Sequence, residues 1–145
     1  MIRQLLYTSV AAPDFRPEML TNILDAAHRY NGRDGITGLL CYLQGGFLQV
    51  LGGPPQAVEV TFEKVARDSR HMAVTRLLDR ELAARAFPGW RMGFRELALK
   101  DGRAFELGRE ALREAVPPAA GEELLALFIR FYEVHAGADG AAPAP

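Results

Sequence analysis

The sequence predicts an α+β domain: a ferredoxin-like β-α-β-β-α-β-β sheet with two helices on one face, followed by two C-terminal helices. Three observations carry this. Residues 2–10 alternate as a strand alternates. Two stretches, from Pro17 and from Pro54-Pro55, repeat apolar residues at helical spacing. Between them lie two short apolar runs joined by a glycine pair, the pattern of a hairpin held between helices.

In the first strand Arg3, Leu5, Tyr7 and Ser9 share one face, and Gln4, Leu6, Thr8 and Val10 the other. "AAPDFRP" reads as a loop, and Pro17 suits the first turn of a helix. Leu20, Ile23, Leu24 and Ala27 then make one apolar stripe, and Asn31-Gly32 is expected to stop the helix. "GITGLLCYL" (35–43) is the second strand, and Gly45-Gly46 turn tightly into the third, "FLQVL" (47–51). Pro54-Pro55 open the second helix, with Val58, Phe62, Val65 and Ala66 on one face. "VTRLLDREL" (74–82) is the fourth strand. "WRMGFREL" (90–97) is the fifth, with Trp90, Met92 and Phe94 on one face.

The chain changes character after Gly102. "AFELGREALREA" is a modest helix, and "EELLALFIRFYEVH" after Pro117-Pro118 a stronger one. Leu124, Leu127, Phe128 and Phe131 form one stripe, and Leu125, Ile129 and Tyr132 a second. A helix apolar on two sides needs two surfaces, here the free face of the sheet and a partner chain. "GADGAAPAP" is a small-residue tail. The expected organisation is a domain over 1–98, a helical extension over 99–136 and a disordered tail over 137–145.

Composition excludes several classes. A chain of 145 residues, 49% apolar, is about one domain with a real core. Seventeen basic against eighteen acidic residues leave a net charge of −1, with no basic excess for direct nucleic-acid binding. A single cysteine, Cys41, permits no internal disulfide and fits a reducing cytoplasm. Cys41 with the dispersed His28, His71 and His135 gives no zinc spacing. No signal peptide and no membrane-length apolar run is present, so a cytoplasmic, non-membrane protein is expected.

One residue stands out in the third strand. Gln49 lies amid Phe47, Leu48, Val50 and Leu51, and a buried amide without partners costs about 1–3 kcal/mol. Alternation puts Phe47, Gln49 and Leu51 on one side, and Leu5 and Tyr7 on one side of the first strand. If these strands pair, phenol and amide meet on the helix-covered face. Two core residues satisfying each other, or a ligand site, would both account for that. Asn31 beside Gly32 reads first as a helix cap. "RDSRH" (67–71) reads as a charged loop at a helix end, with Arg70 able to hold a phosphate. No acid or nucleophile stands at catalytic spacing from His71.

Five stretches together resemble the BLUF domain, the blue-light sensor using flavin: "LLYTS" (5–9), "NGRDGITGLLCY" (31–42), "FLQVL" (47–51), "RDSRH" (67–71) and "FPGWRMGF" (87–94). They lie in order, at the family's spacing, across residues 1–98. The resemblance implies the same fold with a flavin, FAD foremost and FMN or riboflavin next, between the two helices. It makes Tyr7 and Gln49 the photoactive pair: light drives electron and proton transfer from Tyr7, and the Gln49 amide rotates or tautomerises. It places Asn31 at the ring's polar edge, Ile23 and Val65 on its faces, and Arg70 with Lys64 and Asp68 at the ribityl-phosphate tail. His71 lies near the ring. Output is assigned to Trp90 and Met92, with Ser9. Two positions depart from the family. Gly52 stands where an acid is common, and Tyr30 where Asn, His or Arg often touches the ring.

The resemblance implies a sensor rather than an enzyme. A chain of this length leaves no room for a cyclase or phosphodiesterase domain, so output is expected through a homo-oligomer and a separate partner protein. The helix from Glu122 to His135 is the expected interface. Two other classes remain: a non-photoactive flavin-binding or interaction module, and a small enzyme such as a flavin reductase or acylphosphatase. "TSVAAPDF" lacks the anion loop an acylphosphatase needs.

Overall fold

The computed structural model describes residues 1–16, 18–87, 116 and 121–134, and the backbone alone of 93–96 and 135–138. Its elements are β1 (Ile2–Ala11), α1 (Met19–Asp34), β2 (Thr37–Leu43), β3 (Gly46–Gly53), α2 (Pro55–Ala66), β4 (His71–Leu82), β5 (Gly93–Glu96) and, here numbered next, α3 (Glu122–Ala138). The sheet order is β4-β1-β3-β2-β5. β1, β2, β3 and β4 pair antiparallel, and β5 lies parallel to β2. This is the ferredoxin-like α+β arrangement with an added strand.

Alternation splits the core in two. Leu5, Tyr7, Leu40, Phe47 and Leu51 face Leu20 of α1 and Val58 and Phe62 of α2. Leu6, Leu39, Cys41, Leu48 and Val50 face Leu124, Phe128, Phe131 and Tyr132 of α3. A sheet apolar on both faces needs both covered, and α3 supplies the second cover.

Local boundaries differ from expectation where tertiary contacts override local signals. α1 runs through Asn31-Gly32 and ends at Gly35, whose φ of 74° is left-handed. The amides of Gly35 and Ile36 both return to the Asn31 carbonyl, closing the last turn. The hairpin turns at Gln44-Gly45, with φ of 49° and 82°, and Gly46 is already a strand residue opposite Leu43. Two successive positive φ values make the turn that suits strand twist. Ala66 is exposed rather than on the buried side of α2. β4 starts at His71, so that residue belongs to the sheet and not to the preceding loop.

In α3, Tyr132 of the second stripe is buried with Leu124, Phe128 and Phe131, while Leu125, Leu127 and Ile129 are half-buried against the same core. One wide apolar face thus replaces the two separate stripes. Pro17, Trp90, Met92, the expected helix over 104–115 and residues 139–145 lie outside the described residues.

Candidate functional site

A cavity of about 460 Å³ opens between α1, α2 and the sheet face they cover. Its floor is Tyr7 from β1, Leu40 from β2, and Phe47, Gln49 and Leu51 from β3. α1 supplies Ile23, Ala26, Ala27, Tyr30, Asn31 and Asp34, and α2 supplies Thr61, Lys64 and Val65. Asp68, Arg70 and His71 close it at the α2–β4 junction. Every ligand-contacting residue expected from sequence lines this one cavity. Ser9 stands just behind the lining.

At the floor, Tyr7 and Gln49 are directly opposite each other in the β1–β3 ladder. The buried Tyr7 hydroxyl donates to Gln49 Oε1. Gln49 therefore presents its carbonyl end to the phenol, with its amino end turned the other way. Burial pushes the Tyr7 phenol well above the ordinary tyrosine range, and the Asp68 carboxylate adds to the effect. The phenol is thus held firmly protonated in the resting protein.

His71 touches two elements. Its Nδ1 lies 2.7 Å from Ser9 Oγ and its Nε2 2.5 Å from the Val65 carbonyl. Its ring stands edge-on to Tyr7 and Phe47, with centroids 6.2 Å apart in each case.

At the mouth, Arg70 closes a fork onto Asp68: Nε lies 2.9 Å from Oδ1 and a terminal nitrogen 2.5 Å from Oδ2. The Arg70 amide donates to the same carboxylate at 2.9 Å. These bonds hold the Asp68 carboxyl below its usual range and the Arg70 guanidinium above its own. Tyr30 is 45% exposed, with Arg33 5.2 Å and Lys64 5.8 Å from its ring centroid. Arg33 also pairs with Asp34 at 3.1 Å. Lys64 has no carboxylate partner among the described residues.

The remaining lining follows from residues already singled out. Leu40 is the cross-strand neighbour of Gln49 in β2, so it must share the face. Ala26, Ala27 and Asp34 lie within one turn of Tyr30 on α1, and Thr61 lies one turn before Lys64 and Val65 on α2. Strand pairing and helix spacing would have found them. No group of residues suited to a metal ion occurs among the described residues.

Fold and cavity define an α+β domain with a chamber under its two helices. The chain belongs to the BLUF family, described as sensors of blue light using FAD, whose model matches residues 2–93. It is 29% identical over 87 residues to the blue light- and temperature-regulated antirepressor BluF of Escherichia coli K12, covering 60% of this chain and 22% of that protein. The chain thus spans about a fifth of that relative's length. Among solved structures it is similar to BlrB, a BLUF protein in its dark state, with a TM-score of 0.68 and 27% identity over 92% of this chain and 96% of that one. Klebsiella pneumoniae BlrP1 with FMN and cyclic diGMP is similar at a TM-score of 0.73 and 31% identity, over 97% of this chain and 36% of that one.

Flavin is the family's cofactor, and this cavity's chemistry suits one. Its volume falls in the range of cofactor sites. A flat ring system asks for apolar side chains on its faces and amides at its polar edge. Ile23 and Val65 come from opposite helices, and Asn31 and Gln49 are buried amides in the same lining.

Proposed function

We propose that the chain is a blue-light photoreceptor module in which Tyr7 and Gln49 are the reacting side chains. The observation that carries this is the Tyr7 hydroxyl donating to Gln49 Oε1 inside the cavity. A bound flavin supplies visible absorption and, when excited, an electron acceptor. Tyr7 would supply that acceptor with an electron and, by way of the Gln49 amide to which it donates, its hydroxyl proton, and both would return to Tyr7 before the cycle closes. Burial makes loss of the proton alone from the resting phenol unfavourable. The Gln49 amide then reorients. With its amino end toward Tyr7 it donates where it formerly accepted, and its carbonyl end serves the opposite side. One rotation rewrites the hydrogen bonds without breaking a covalent bond.

In this reading Asn31 holds the ring's polar edge, with Ile23 and Val65 on its faces. Tyr30 stands at the ring, and Lys64 serves the phosphate end. The Arg70 fork is already engaged by Asp68, so Arg70 shapes that end together with Asp68, and Lys64 carries the available positive charge. The module signals rather than catalyses, through a second copy of itself and a separate partner protein. Ser9, Trp90 and Met92 carry output toward the C-terminal helices.

The experiment is a visible spectrum of the purified protein. A yellow protein whose absorption shifts to the red under blue light and reverts in darkness is expected. A colourless protein, or a yellow one without the shift, rejects the reading in favour of a non-photoactive interaction module.

A further inference from the structure

We infer that Ser9, His71 and the Val65 carbonyl form a strut that sets the position of Tyr7 relative to α2, with His71 as the positioning residue. The inference rests on the photoreceptor reading above and extends it to a part of the wall that does no chemistry itself.

The strut begins with a bulge. β1 and β4 pair at Thr8↔Thr75 and again at Val10↔Met72, so β4 carries one extra residue opposite Ser9. Ala73 takes up the irregularity with a φ of 56°, a left-handed conformation uncommon for a residue with a side chain. The consequence is a change of face. Without the extra residue, Ala11 would oppose Met72, and His71 would point to the α3 side. With it, Ala11 opposes His71, and the imidazole joins the face that carries Tyr7 and Ser9. Met72 turns to the other side with Val10, and both are substantially exposed. The fold accepts a strained alanine and two exposed apolar residues, and the imidazole is thereby brought into the cavity wall.

The hydrogen bonds then fix the ring's proton. The Val65 carbonyl can only accept, so Nε2 must carry the hydrogen. In the neutral ring Nδ1 is then bare and accepts from the Ser9 hydroxyl at 2.7 Å. Ser9 is buried and stands two residues beyond Tyr7 on the same face of β1. Val65 lies in the last turn of α2, and its carbonyl accepts from the Asp68 amide at 3.0 Å as well as from the imidazole. One imidazole therefore ties the strand bearing Tyr7 to the helix end bearing Val65 and Lys64. Its edge also packs against Tyr7.

The test has two readouts on the full chain. Nitrogen-15 NMR of histidine-labelled protein in darkness should show His71 locked with Nε2 protonated and Nδ1 bare, the signal being assigned by its loss in His71→Gln. An Nδ1-protonated or averaging ring overturns the strut. Kinetics of the light response give the second readout. Ser9→Ala should keep bound flavin yet change dark recovery roughly ten-fold, as small misplacements of reacting groups do, while Ser9→Thr, which keeps the hydroxyl, should stay within about two-fold. Ser9→Ala recovering like the wild type overturns the proposal. A wild-type protein with no light response is a different failure. It removes the photoreceptor reading, whereas indifference of the variants beside a responsive wild type removes only the strut.

Discussion

Gly52 and Gly53 sit side by side at the end of β3 but have different reasons to lack a side chain. A Cβ on Gly53 would come within 2.8 Å of the Gly35 carbonyl oxygen and 3.0 Å of Ile36 Cδ1. The first is backbone and has little room to move, so Gly53→Ala should cost about 1–3 kcal/mol of stability in urea unfolding. At Gly52 the nearest atom, the Thr37 carbonyl oxygen, is 3.7 Å away, and Gly52→Ala should be neutral or stabilising by up to about 1 kcal/mol. Equal losses at both positions would contradict this account. The glycine at position 52 is therefore not imposed by space.

The phenol and amide of the floor are tested by deletion of one partner at a time. Tyr7→Phe keeps the ring's edge contact with Phe62, now 5.6 Å between centroids, and removes only the hydroxyl. It should abolish the red shift while leaving flavin bound. Gln49→Leu should do the same. A normal photocycle in either variant, followed by absorbance, would show that the reaction runs through other side chains.

Among the elements, α3 is joined to the sheet by more than apolar packing. Gln4, buried on the face of β1 opposite Tyr7's, accepts from Arg80 Nε at 2.9 Å. Arg80 in turn reaches Glu123 in the first turn of α3 at 2.7 Å. The two links should differ in weight. Arg80→Met takes a donor from a buried carbonyl and should cost about 1–3 kcal/mol. Glu123→Gln breaks an exposed ion pair and should cost at most about 1 kcal/mol. Hydrogen exchange across α3 should rise more in the Arg80 variant. The reverse order would show that the helix is held chiefly by its surface charge.

Over the whole molecule, acid is the natural stress. Arg3 on β1 bridges Glu59 of α2 and Asp79 of β4, each at 2.7 Å, and Arg76 reaches the same two carboxylates at 3.3 Å. Hydrogen bonds from Arg3 lower both carboxyl pKa values, and Arg70 lowers that of Asp68. A carboxyl that binds protons more weakly when folded stabilises the fold above its unfolded value, near about 4, and loses that contribution as pH falls through the depressed folded value. Urea midpoints should therefore be level near neutrality and fall below about pH 4, with Arg3→Met flattening the fall. Midpoints indifferent to acid would leave the network without a stabilising role. No helix among the described residues is long and apolar enough to cross a membrane. Self-association is tested by light scattering after size exclusion: the proposed homo-oligomer predicts a mass above 16.0 kDa. A monomer in both dark and light would end that proposal.

What the sequence determined by itself was periodic and local. Alternation put Leu5 and Tyr7 on one side of the first strand, and Phe47, Gln49 and Leu51 on one side of the third, because side-chain direction in a strand repeats every two residues. Helical spacing likewise put Ile23 and Val65 each on the apolar stripe of its own helix. The tertiary structure decided what depends on distant segments. It set the register that brings Tyr7 opposite Gln49, and the bulge at Ala73 that turns His71 to the cavity. It carried α1 past Asn31-Gly32 to Gly35, leaving Asn31 buried in the cavity wall. It gave Arg70 to Asp68 and merged the stripes of α3 into one face. A local signal such as a cap or a turn is worth about 1 kcal/mol, and packing against a segment dozens of residues away readily outweighs it. Register and bulges have no local signature, because the free energy that selects them belongs to two strands at once.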